Sequence, residues 1–203
     1  MAVMVWIHGG AFSYGSASDY PGGVLATFND VIIVSINYRL GILGFFNIPG
    51  TEYKGNYGML DQVLALKWVQ ANIASFGGDP NRVTIFGQSA GGISVSLQLI
   101  SPLSKGLFRR AIMQSGASSS PLYCGKVSNT EQLELFSKRL NCSLGPDLVE
   151  CVRGKIVEDI TMAKSGITIS KSMGSQSLVG PTVDGEFLPD LPENLFKNRS
   201  IPP

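Results

Sequence analysis

The sequence has 203 residues, long enough for one domain with a sizeable core, and 44% of them are hydrophobic against only 15% charged. That balance excludes a disordered tail. Sixteen Lys and Arg face fifteen Asp and Glu, a net charge of +1, with no basic cluster, so neither a nucleic-acid partner nor an acidic membrane surface is expected. No apolar run approaches the roughly 20 residues of a membrane-spanning helix, and the N-terminus reads as a strand and not as a signal peptide.

In chain order, residues 3–7 (Val-Met-Val-Trp-Ile) form a short apolar strand, and His8-Gly9-Gly10-Ala11-Phe12 follows as a glycine-rich loop. Residues 13–23 are small and polar, a surface loop. A short helix is expected over 24–28. The continuous apolar run 31–36 fits a strand buried on both faces, and 41–56, punctuated by Gly and Pro, reads as a loop. A helix is predicted over 58–74, with Leu60, Leu64 and Trp68 as its apolar stripe and Val63 and Ile73 widening it. Gly77-Gly78 supplies the stop signal, and Asp79-Pro80-Asn81 turns the chain into the next strand.

That strand, 82–86, is rich in β-branched and aromatic residues. Gly87-Gln88-Ser89-Ala90-Gly91 follows, then the apolar, helix-length run 93–100. Strand, Gly-x-Ser-x-Gly and helix together are the context of a nucleophile elbow. The turn is so sharp that positions 87 and 91 must be nearly free of side chain. The serine between them is expected in a strained conformation at a helix N-terminus, where the dipole favours developing negative charge. Residues 111–115 make a further strand. Strands alternating with helices imply an α/β fold with a mostly parallel sheet.

After Gly116 the pattern changes. An amphipathic helix is predicted over 130–140, with Leu133, Phe136 and Leu140 on one face, and a short helical piece over 149–152. Residues 174–180 read as a small-residue loop and 181–188 as a strand and turn, before a Pro-rich end. The chain divides into a sheet core at 1–116 and a lid or pocket wall at 117–203. Trp6 and Trp68 are expected in the core. Asp61 and Arg82 are candidates for an ion pair.

The glycine loop and the elbow belong to one chemistry. Acyl transfer at a serine needs donors for the oxyanion of the tetrahedral intermediate. They come from the amide after the serine, here Ala90, and from a glycine-rich loop after an earlier strand. Losing one donor of this kind costs about 100- to 1,000-fold in rate.

With residues 6–12, 37–45, 55–92, 102–116 and 181–189, the chain resembles the type-B carboxylesterase and cholinesterase-like family, whose fold is that of the α/β-hydrolases. The resemblance extends over nearly all of residues 1–203. It implies a serine hydrolase that cleaves small-molecule or lipid carboxylic esters through an acyl-enzyme, with no cofactor and no metal. It carries over Ser89 as nucleophile and Gly9, Gly10, Ala11 and Ala90 as the oxyanion-hole stretch, with Gly10 and Ala11 as the principal loop donors. The alternative from another class is a non-catalytic, cholinesterase-like adhesion or binding protein; such relatives commonly lose the serine, and Ser89 is present.

The sequence departs from the family pattern at three places. Gln88 stands where most members have Glu, and Ala11 where glycine is usual. The third departure concerns the base. The family order is serine, acid, histidine, and the one histidine here is His8, upstream of Ser89, with a structural or pocket-lining role expected. Asp147, Glu150, Glu158, Asp159, Asp184, Glu186, Asp190 and Glu193 follow the serine but read as surface charges. The chain therefore reads as a fragment without the catalytic acid and histidine, inactive alone.

Cys142 and Cys151 flank eight residues, and the family carries a disulfide in this region, so the resemblance implies a bridge here; two buried thiols are the alternative. Cys124 is either a free thiol or paired outside the chain. Asn141 and Asn198 open glycosylation sequons. The sequons and bridge together point to a secreted protein or one of the secretory-pathway lumen. The resemblance also implies that Ser115, between a strand and Gly116, lies beneath the catalytic site in a supporting role; a plain strand-end serine is the alternative.

Overall fold

The computed structural model describes residues 1–48, 51–119, 130–145, 147–165, 167 and 179–197. Cys124, Asn198 and most of the loop expected at 174–180 lie outside them.

Among the described residues, four strands form one wholly parallel sheet: β1 (Ala2–Ile7), β2 (Val31–Ile36), β3 (Val83–Gln88) and β4 (Arg110–Gln114), in the order β2-β1-β3-β4. In register, Ile7 faces Ile36 on one side and Gly87 on the other. The segments leaving β1 and β3 therefore emerge from the same end of the sheet. The connection after β1, carrying α1 (Gly23–Asn29), runs outward to β2. The connection after β3, carrying α4 (Ala90–Ile100), runs the opposite way to β4. Adjacent strands whose connections diverge leave a crevice at their carboxyl ends, where α/β proteins bind ligands.

The core beneath that crevice is built from Val3, Val5, Ile7, Val83 and Ile85 of the strands. Ile93, Val95, Leu97 and Ile100 of α4 pack on them, as do Met59, Val63, Leu66 and Val69 of α3 (Tyr57–Asn72). The buried face of α3 thus keeps Val63 of the predicted stripe, with Ile73 just beyond the helix, but not Leu64 and Trp68. Leu64 and Trp68 are 67% and 48% exposed, so Trp68 is not a core residue. The helix carries two apolar stripes, and a buried polar chain selects between them. Gln62 donates to Ser94 Oγ (3.1 Å), Gln98 donates to Gln62 Oε1 (3.1 Å), and Ser104 donates to Gln98. Turning α3 to bury Leu64 would strand these amides without partners.

Other expectations are corrected as well. β2 is half-exposed along most of its length, because it lies at the sheet edge, where α1 and the short turn at residues 17–19 cover it only in part. The segment 41–56 contains a helical turn, α2 (Gly41–Phe45). Asp61 pairs with Arg39 and not with Arg82. Residues 181–188 form no strand. They are held by Asn56, whose side-chain amide donates to the Thr182 carbonyl (2.7 Å) and whose Oδ1 accepts from the Thr182 amide (2.9 Å). The predicted helices at 130–140 and 149–152 appear as α5 (Thr130–Arg139) and α6 (Leu148–Arg153). Two more were not anticipated, α7 (Val157–Lys164) and α8 (Pro192–Lys197). A disulfide joins Cys142 to Cys151, tying the end of α5 to α6. Among the described residues, no helix is long and apolar enough to cross a membrane.

Candidate active site

Ser89 sits at the corner between β3 and α4 with φ 56° and ψ −122°, outside the regions that a side chain tolerates without cost. Its neighbours hold it there. The Ser89 amide donates to the Gln114 carbonyl of β4 (2.8 Å), and its carbonyl accepts from Ile93 (2.9 Å). The corner is tight enough that a β-carbon on Gly91 would lie 2.0 Å from the Ile7 carbonyl oxygen, and one on Gly87 2.6 Å from the Gly91 carbonyl. Only glycine fits either place. Ser89 is half-buried, and its hydroxyl makes no hydrogen bond among the described residues. It stands at the N-terminus of the 11-residue α4, whose first turn carries no acidic side chain to compete for the positive end of the dipole.

The loop after β1 lies directly against this corner. A β-carbon on Gly9 would stand 3.2 Å from Ser89 Cβ and 2.6 Å from the Gln88 carbonyl oxygen. Gly10 has φ 114°, and Ala11 and Phe12 follow at 52° and 56°. This run of positive φ values turns the peptide planes of the loop. The amides of Gly10, Ala11 and Ala90 donate to no described residue. Amides without a protein partner, from half-buried Gly10 and Ala11 and buried Ala90, are the donor type an oxyanion requires.

His8 underpins the loop. It is fully buried, and its Nδ1 lies 2.8 Å from the Gly9 carbonyl oxygen. A carbonyl can only accept, so Nδ1 carries the proton. Nε2 is buried and has no partner among the described residues. No hydrogen bond links His8 to Ser89, and none of Asp147, Glu150, Glu158, Asp159, Asp184, Glu186, Asp190 and Glu193 is hydrogen-bonded to His8. Glu150 pairs with Arg153, and Asp184 accepts from the amides of Glu186 and Leu188.

Sequence reasoning passed over two residues. The Tyr38 ring stacks on His8, centroids 4.5 Å apart, and its hydroxyl donates to the His8 carbonyl (2.8 Å). Burial pushes the Tyr38 phenol well above its ordinary range, so it remains a donor. The other is Gly116, where a β-carbon would meet the Ser89 carbonyl oxygen at 2.2 Å. Ser115 has φ 52° and is exposed. Among the described residues, no three His, Cys, Asp or Glu side chains are grouped to hold a metal ion.

A parallel sheet whose third strand breaks through a strained serine into a helix defines an α/β-hydrolase. The profile of the carboxylesterase family matches residues 1–203, and the chain belongs to that family. It is 44% identical over 211 residues to human cocaine esterase, with 100% of this chain and 35% of that protein covered. It is 46% identical over 205 residues to a rat acylcarnitine hydrolase, again with 100% and 35% covered. A medium-chain fatty acyl-CoA hydrolase precursor from the duck Anas platyrhynchos is 43% identical over 210 residues, with 99% and 35% covered. The chain thus spans about one third of the length of these relatives.

Proposed function

We propose that this chain supplies the nucleophile half of a serine carboxylesterase acting on small-molecule or lipid esters. Ser89 attacks the ester carbonyl, and the amides of Gly10, Ala11 and Ala90 receive the oxyanion, with Gly9 setting their approach. The observation that carries this reading is the strained Ser89 corner packed against a loop whose amides are unpartnered. A neutral serine hydroxyl needs a base to take its proton. The single histidine of the sequence donates from Nδ1 to Gly9 and does not touch Ser89, so the base and its acid come from outside these 203 residues. The 203-residue chain alone then has little or no esterase activity, because an oxyanion hole without a base leaves only a small residual rate. Residues 117–203 serve as lid and pocket wall. The Cys142–Cys151 bridge supports a secretory-pathway location.

The test is labelling by a fluorophosphonate probe. A longer polypeptide that carries this segment together with a downstream acid and histidine is expected to label at Ser89 and to lose the label in Ser89→Ala. The isolated chain is expected to hydrolyse p-nitrophenyl butyrate no faster than its Ser89→Ala variant. Strong Ser89-dependent turnover by the isolated chain overturns the missing-base reading. A longer polypeptide that does not label overturns the esterase reading in favour of a binding protein.

A further inference from the structure

Lys164 closes α7 and turns away from its own helix. Its Nζ donates to Ser13 Oγ at 2.7 Å, and Ser13 Oγ donates to the carbonyl of Ala11 at 3.1 Å. An ammonium thus sits one hydroxyl away from the candidate oxyanion loop. The end of α7 is braced in this position by Arg139, whose guanidinium donates to the carbonyls of Ala163 (2.8 Å) and Ser165 (2.5 Å).

Among the described residues the cation has no counter-charge. The ion pairs among the described residues are Arg39–Asp61 and Arg153–Glu150, and neither involves Lys164. Burial lowers its pKa, with no carboxylate acting in the other direction. An ammonium has three donors, and the contact to Ser13 uses one. A half-buried cation with donors to spare attracts an anion more strongly than a solvated surface lysine does.

We propose that Lys164 is a specificity-determining residue, selecting esters whose acyl or alcohol part ends in a carboxylate. The inference rests on the reading that Ser89 and residues 9–11 form an ester site, and it adds the substrate class. The carboxylate pairs with the two spare N–H groups of Lys164, while the ester carbonyl lies against the amides of Gly10, Ala11 and Ala90. Ser13 holds the ammonium at a fixed distance from that carbonyl, so a short linker between the two ends is required. A purely structural lysine would pin α7 to the loop without discriminating between ligands.

The experiment uses the whole 203-residue chain, labelled with 15N and titrated with monomethyl glutarate and, separately, with dimethyl glutarate. Binding is read at the backbone amides of Gly10, Ala11 and Ala90. The monoester is expected to bind about tenfold more tightly than the neutral diester, the scale of one charge-assisted contact. Lys164→Met is expected to reduce that preference to within about twofold, and Lys164→Arg to restore most of it. Independently of any variant, 13C-labelled lysine is expected to show a shift at Lys164 with the monoester and none with the diester. Equal affinities in the wild type, or a preference that survives Lys164→Met, overturn the assignment while leaving the ester site standing. If neither ester moves the three amides, the site reading fails and the assignment falls with it.

Discussion

At the scale of single residues, close approach governs the site. A methyl group on Gly91 has nowhere to go except into the Ile7 carbonyl. Gly91→Ala is therefore expected to cost about 3 kcal/mol or more, measured as a fall in the urea midpoint at unchanged slope. Tyr38→Phe keeps the stacking on His8 but leaves the buried His8 carbonyl without its donor. A loss of about 1–2 kcal/mol is expected from the same measurement. Both positions bear on what could be read beforehand. The Ser89 corner was legible because its geometry permits almost no other residues at 87 and 91. Tyr38 was not, because its partner is a backbone carbonyl 30 positions away, and nothing local marks such a pairing.

At the scale of elements, three ties are testable. Burial works to raise the Asp61 pKa, but the paired hydrogen bonds from the Arg39 guanidinium, with a third from the Arg39 amide, outweigh it and hold the carboxyl below its ordinary range. A depressed folded-state pKa means that the pair stabilises the protein while the carboxyl is ionised. The contribution is lost as the pH falls through that pKa. The pair is partly solvated, so about 1 kcal/mol is expected. Asp61→Asn is expected to lower stability by that amount at neutral pH. The gap should hold down to about pH 5 and narrow towards about pH 3, in urea titrations run across that range.

Asn56 is buried and carries both hydrogen bonds to Thr182. Its replacement by Ala strands two backbone groups, and a loss of about 2–4 kcal/mol is expected from thermal unfolding. Cys142→Ser with Cys151→Ser opens a short loop, with about 2–3 kcal/mol expected in a denaturant titration. The bridge was legible through resemblance. The Asn56 tie was not, since it joins positions 126 residues apart. Nor was the seated face of α3, because two apolar stripes fit one periodicity and the bonds of Gln62 to Ser94 and Gln98 choose between them.

At the scale of the molecule, the alternation of strands and helices was readable, and with it the parallel sheet. The burial of its edge strands was not, since an apolar run records what a strand can tolerate and not what lies beside it. The outer margins are rich in exposed apolar side chains. Val24 and Phe28 of α1 are 72% and 84% exposed, and Ile112 and Met113 of β4 are 44% and 42% exposed. Patches of this kind beside open strand edges favour association. The isolated chain is expected to bind an apolar fluorescent dye and to grow in apparent mass with concentration in light-scattering chromatography. A single monomeric species across the concentration range contradicts that expectation.

The central placement of β1 also bears on the order of events during synthesis. Its N-terminal half of the ester site emerges from the ribosome first, yet Val3 has no partner on the β3 side until Val83 has been made. Contacts that span so much chain form late and slowly. The glycine loop must therefore wait, half-dressed, until residues 83–88 have been translated. During that interval a nascent-chain binding factor would meet bare β1, and neither the serine nor its amides would yet exist as a site.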